Sequence, residues 1–256
     1  MRESLTNSRE TVRKLVIGCI SILGLLGAGT GKAEAQDVTP PGEEAVNNTR
    51  ERNLKALRAG EYLVLDKVMA ILNQVYTIFP TGLGLKNAFG YYLDQDGLKL
   101  LLSQKAKFDE KIKELNLSES EMSTLEEMFK IGNIIFGHRS INDPNFMGLL
   151  WHERIHKYMA EDLSAEEKRL LNGVKDFFMH NFSQSTSSIE PIFKVGNPGT
   201  FSKFQLDYIV NAKTDDFWSI LAEGNFTNVE SYIAEHFPEA SAIYKRMKTK
   251  ATAEKK

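Results

Sequence analysis

The sequence predicts a mostly α-helical α+β fold with one small sheet. Apolar residues recur at helical spacing through most of 43–180, whereas a single short run, 131–139, is β-branched and aromatic. The bulk composition is that of an ordinary globular chain, 42% hydrophobic and 26% charged over 256 residues, enough for a sizeable core.

In chain order, Arg9, Arg13 and Lys14 precede an apolar run over 15–28, and Ala33-Glu34-Ala35 follows before Gln36. That order of positive region, apolar region and Ala-x-Ala site is the anatomy of a cleaved secretory signal, so residues 1–35 are expected to be removed. The competing expectation is an uncleaved membrane anchor. Against it, the run is interrupted by Gly18, Gly24 and Gly27 and is shorter than the roughly 20 residues a bilayer span needs. Cys19, the only cysteine, lies inside this segment. A mature chain without disulfides must be stabilised by its core, which fits bacterial or archaeal export, periplasmic or secreted, with no stable membrane span after cleavage.

Pro40-Pro41-Gly42 marks 36–42 as a linker. Leu54, Leu57, Tyr62, Leu65, Val68, Met69, Leu72 and Tyr76 then keep helical spacing up to Pro80, predicting a long amphipathic helix or a pair broken at Gly60. Thr81-Gly82-Leu83-Gly84-Leu85 lacks the Lys-Ser/Thr ending of a phosphate loop and reads as a turn. Helical spacing resumes over 93–115, and Ser118 with Glu121 predicts a capping box opening a helix to about 130. The run 131–139 reads as a strand, with His138 at its end as either a cleft or a surface histidine, and Asn142-Asp143-Pro144 as a turn.

The next stretch, Leu149-Leu150-Trp151-His152-Glu153-Arg154-Ile155-His156, is where residue type and spacing together demand a chemistry. Residues four apart share a helix face, so both imidazoles can reach one metal ion. Glu153, about 100° round the helix from His152, can touch a water on that ion, where a general base belongs. The plainer reading makes the histidines an ordinary polar face with Glu153 solvated beside Arg154 or Lys157. His-Glu-x-x-His resembles the active-site helix of the zincin metallopeptidases, a resemblance covering five residues. It implies two Zn2+ ligands, His152 and His156, and a catalytic Glu153. It also implies a zincin-like domain with a small sheet beside the active-site helix, in which the strand of 131–139 lies along the cleft and hydrogen-bonds an extended peptide by strand addition.

Further on, Ser164 and Glu167 predict a second capping box opening a helix to about His180, and 181–202 reads as a long loop. Catalytic zinc needs a third protein ligand. The aromatic-rich helix expected over 214–226 presents Asp215, Asp216 and Glu223. It is similar to the glutamate helix of the gluzincin branch, although Ser219 stands where that pattern has its first glutamate. Either Glu223 coordinates the metal, or Asp216 or Asp215 does so with Glu223 behind it. The resemblance also suggests Tyr208 as an oxyanion stabiliser, with core packing as its alternative role. A last helix over 239–247 is expected to fade into a lysine-rich tail, 251–256.

The expected organisation is thus a helical part, 43–130, followed by a metallopeptidase-like part, 131–250, with a peptide or protein as substrate. A net charge of −2 without long charged blocks implies no nucleic-acid partner. A non-enzymatic binding or assembly protein of the export compartment and a hydrolase of non-peptide amides remain the alternatives.

Overall fold

The computed structural model describes residues 43–75, 90–182, 217–223 and 226–253. They fold as two compact units, divided in the chain between Leu149 and Leu150. Among the described residues no helix is long and apolar enough to cross a membrane, and the expected signal and linker lie outside them.

Among the described residues the first unit begins with α1 (Glu43–Ala56), β1 (Glu61–Val64) and α2 (Asp66–Val75). It continues through β2 (Gly90–Leu93), α3 (Gln95–Ser103), α4 (Lys105–Lys113), α5 (Glu119–Met128) and β3 (Asn133–Gly137). Of the two arrangements expected here, the pair of helices broken at Gly60 is the one that forms, with a strand placed in the break. Gly60 turns the chain at φ 81°, a conformation glycine adopts without a Cβ penalty. Glu61 to Val64 then pair in parallel with Ile134 to Gly137. Helical spacing runs through both halves of the interruption, and only the non-local pairing distinguishes a strand there.

Asp94 caps α3, its side chain accepting from Gly97 N at 2.7 Å. At Ser118 the capping box closes in both directions. Val68, Leu72, Leu98, Leu101, Phe108 and Met128 are buried together in one apolar cluster, which Ile135 of β3 joins. Phe136, on the opposite face of β3, meets Phe146 edge-on at 5.0 Å. All five residues of β3 are buried, so the strand is covered on both faces and shows no alternation of buried and exposed positions.

Strand order is β1-β3-β2, with β2 antiparallel to β3. This corrects the expected substrate strand. Both edges of β3 are already hydrogen-bonded, so no peptide can add to it. His138 lies exposed just past β3. A Cβ on Gly137 would come within 2.8 Å of Asp66 Oδ1, and that carboxylate accepts from Arg139 N at 2.8 Å. A turn follows at Ser140–Asn142. The buried Asn53 of α1 holds it, donating from Nδ2 to the carbonyls of Ile141 at 2.8 Å and Asp143 at 3.0 Å.

One helix, α6 (Phe146–Glu161), runs through the unit boundary. The second unit contains its larger part with α7 (Ala165–Phe182), α8 (Phe217–Glu223), α9 (Thr227–His236) and α10 (Pro238–Thr252). Ile155, Leu171, Phe178, Trp218, Leu221, Ile233 and Tyr244 lie in its core. Trp218 Nε1 donates to Leu171 O at 3.3 Å, joining α8 to α7. Burial, reinforced by the Glu230 carboxylate that accepts its hydroxyl at 3.0 Å, raises the Tyr244 phenol well above its ordinary value.

The helix expected to end at Met247 continues to Thr252 because Ala251 is buried in the core. Residues 183–216, including the expected loop and Tyr208, Asp215 and Asp216, lie outside the described residues, as does the turn at 81–85.

The capping box at Ser164 forms as expected, with Ser164 N donating to Glu167 Oε2 at 2.8 Å and Glu167 N to Ser164 Oγ at 3.2 Å. Arg246 of α10 donates to the other carboxylate oxygen at 2.6 Å. Arg246 first, then the Ser164 contacts, lower the Glu167 carboxyl from 4.5 to about 2. A carboxyl depressed on folding stabilises the fold above its unfolded value and stops doing so as pH falls through its folded value. The stability gap between wild type and Glu167→Gln in urea melts should therefore be full above pH 4.5 and shrink towards pH 2. A gap that widens on acidification would contradict this assignment.

Candidate metal centre

Four consecutive residues of α6, His152, Glu153, Arg154 and Ile155, are buried. Ionisable side chains are rarely placed in such positions, because removing a charge from water costs several kcal/mol (order of magnitude) unless the surroundings compensate. Glu153 has no measurable exposure, so the solvated glutamate of the plainer reading is not what forms.

His152 and His156 lie one turn apart, with ring centroids 4.9 Å from each other. Their Nε2 atoms face each other at 3.1 Å. Two nitrogens each about 2.0–2.1 Å from one tetrahedral zinc would stand roughly 3.3 Å apart. The pair therefore fits a shared divalent ion to within a few tenths of an ångström. His156 is only partly buried.

Glu223, expected as the third ligand, is brought to the site from the last position of α8, but its Oε1 touches Nδ1 of His152. The contact is close but does not have the alignment of a hydrogen bond. The nitrogens of one imidazole point away from each other, so a carboxylate at Nδ1 stands behind the ring, where it can hold the ring's tautomer and orientation. Among the described residues no three His, Cys, Asp or Glu donors gather around a common point.

The same two helices carry buried polar atoms that find no hydrogen-bond partner among the described residues: Trp151 Nε1 and Ser219 Oγ. Such atoms are uncommon in folded proteins, and their concentration here marks a polar interior suited to water or an ion.

Arg154 projects about 200° from His152, on the back of the helix. Its Nη1 donates to Ala251 O at 2.8 Å, fastening α6 to the last turn of α10. Sequence reasoning passed over this residue, since an arginine beside a glutamate inside a motif carries the same signal whether buried or solvated. Removing the charge while keeping an apolar stem, as in Arg154→Met, should destabilise the protein by about 2–3 kcal/mol, the scale of a buried hydrogen bond from a charged donor. Urea denaturation measures it, and a loss below about 0.5 kcal/mol, the scale of a surface substitution, would show that the contact does not anchor the helix. Compared with protein-family models, curated proteins and solved structures, the chain gives no match.

Proposed function

We propose that this chain is an exported zinc-dependent metallopeptidase, resembling the gluzincin branch of the zincins, with Glu153 as its general base. The observation that carries the reading is the meeting of the His152 and His156 Nε2 atoms at 3.1 Å beside the buried Glu153. His152 and His156 would hold the ion, and Glu223 supports His152 as a donor or from behind its ring. When bound, zinc would supply the Lewis acidity that brings the pKa of a water near neutrality.

The remaining chemistry belongs to the chain. A carboxylate one position on from a metal-binding histidine is well placed to take a proton from the attacking water. Glu153 accepts that proton as the peptide carbonyl is attacked and passes it to the departing amine. Tyr208 is proposed to stabilise the oxyanion. Peptides or proteins outside the cytoplasm are the proposed substrates, met after the N-terminal segment has been cleaved before Gln36.

A second reading, a zincin-derived binding or assembly protein without turnover, is favoured by one observation: Glu223 sits at Nδ1 and no third acid joins the imidazole pair among the described residues. Replacing the base separates the two. With zinc supplied, Glu153→Gln should bind the metal as wild type does and lose peptide hydrolysis by about 10²–10⁴-fold. Undiminished hydrolysis would remove Glu153 from the mechanism, and a zinc-loaded wild type that cleaves no peptide would leave the binding protein.

A further inference from the structure

Only two side chains of α8 carry an oxygen donor, Ser219 and Glu223; Phe217, Trp218, Ile220, Leu221 and Ala222 are apolar and buried in the core. Glu223 is engaged at the far nitrogen of His152. Ser219 precedes it by four residues and so lies on the same face of α8, one turn away. Its Oγ is fully buried and finds no hydrogen-bond partner among the described residues. A buried hydroxyl in that condition is destabilising unless a ligand or water completes it.

We propose that Ser219 stands at the third donor position of the two-histidine site, where the chain offers a divalent ion a neutral hydroxyl in place of a carboxylate. This rests on the reading that His152 and His156 share a metal. Two imidazoles and a hydroxyl bring no negative charge to the ion. A hydroxyl is a weaker zinc donor than a carboxylate or a thiolate, so wild type holds zinc less tightly than a variant carrying either, and residue 219 sets the affinity of the site.

Exchanging the hydroxyl for a thiol tests the placement with almost no change in volume. The full-length Ser219→Cys protein and wild type are titrated with zinc and, separately, with cobalt(II), and the cobalt spectra are compared. The variant should bind zinc about tenfold more tightly or better, since thiolate is a strong zinc donor. Its cobalt form should show a thiolate-to-metal charge-transfer band that wild type lacks and that disappears when His156→Ala is added. Cys19, the one native cysteine, is present in both proteins and controls for adventitious thiol binding. A folded variant with wild-type affinity and no band would overturn the assignment. Should Ser219→Cys fail to fold, Ser219→Glu serves in the same titration, where unchanged or weaker affinity than wild type overturns it. A band without peptide hydrolysis by either protein would sustain the donor position and remove the peptidase reading; hydrolysis by wild type with no band in the variant would do the reverse.

Discussion

Two imidazoles on one helix can present a shared ion to the neighbouring helices only if that helix is held at one rotation, and that constraint organises the second unit of this protein. On α6 the four-residue interval puts His152 and His156 on one face, and the structure brings their Nε2 atoms to 3.1 Å. A helix free to roll would carry both rings out of place together. Arg154 prevents this from the back by its bond to Ala251 O, while Ile155 and Leu163 are buried in the core with Phe178 and Trp218. Glu223 adds a contact at the rim of the His152 ring.

This arrangement runs against the usual composition of a core. Glu153 and Arg154 occupy positions where leucine or alanine would cost nothing in desolvation, and buried charges are seldom worth more than well-packed apolar side chains. Ionisable groups kept in such positions commonly mark a site whose chemistry needs them. The concentration of unpartnered polar atoms on α6 and α8, Trp151 Nε1 and Ser219 Oγ among them, points to the same place.

Much of this was legible in the sequence where the cause is local. Capping boxes at Ser118 and Ser164 announce themselves by a hydroxyl and a glutamate three residues apart, and both form. β3 could be read from its β-branched and aromatic run, and the histidine pair from its spacing. What could not be read depends on partners distant in the chain. Glu61 to Val64 fit a helical stripe as well as a strand until β3 is beside them. That β3 is central, and so cannot accept a substrate strand, follows from pairing on both sides, which no pattern within 131–139 encodes. Asn53 looks like one polar residue on a long helix, yet it is buried and binds two carbonyls of the turn before α6. Glu223 could be singled out as an acid near the end of a helix, but not the nitrogen it would face.

The central claim is that both Nε2 atoms of the pair take the same ion while Nδ1 of His152 stays turned towards Glu223. Nitrogen-15 NMR of the histidine side chains during a zinc titration measures this directly. The account predicts that the Nε2 resonances of His152 and His156 move together to the metal-bound range, saturating at one equivalent, with His152 Nδ1 remaining protonated. Movement of one ring alone, or metal arriving at His152 Nδ1, would contradict it.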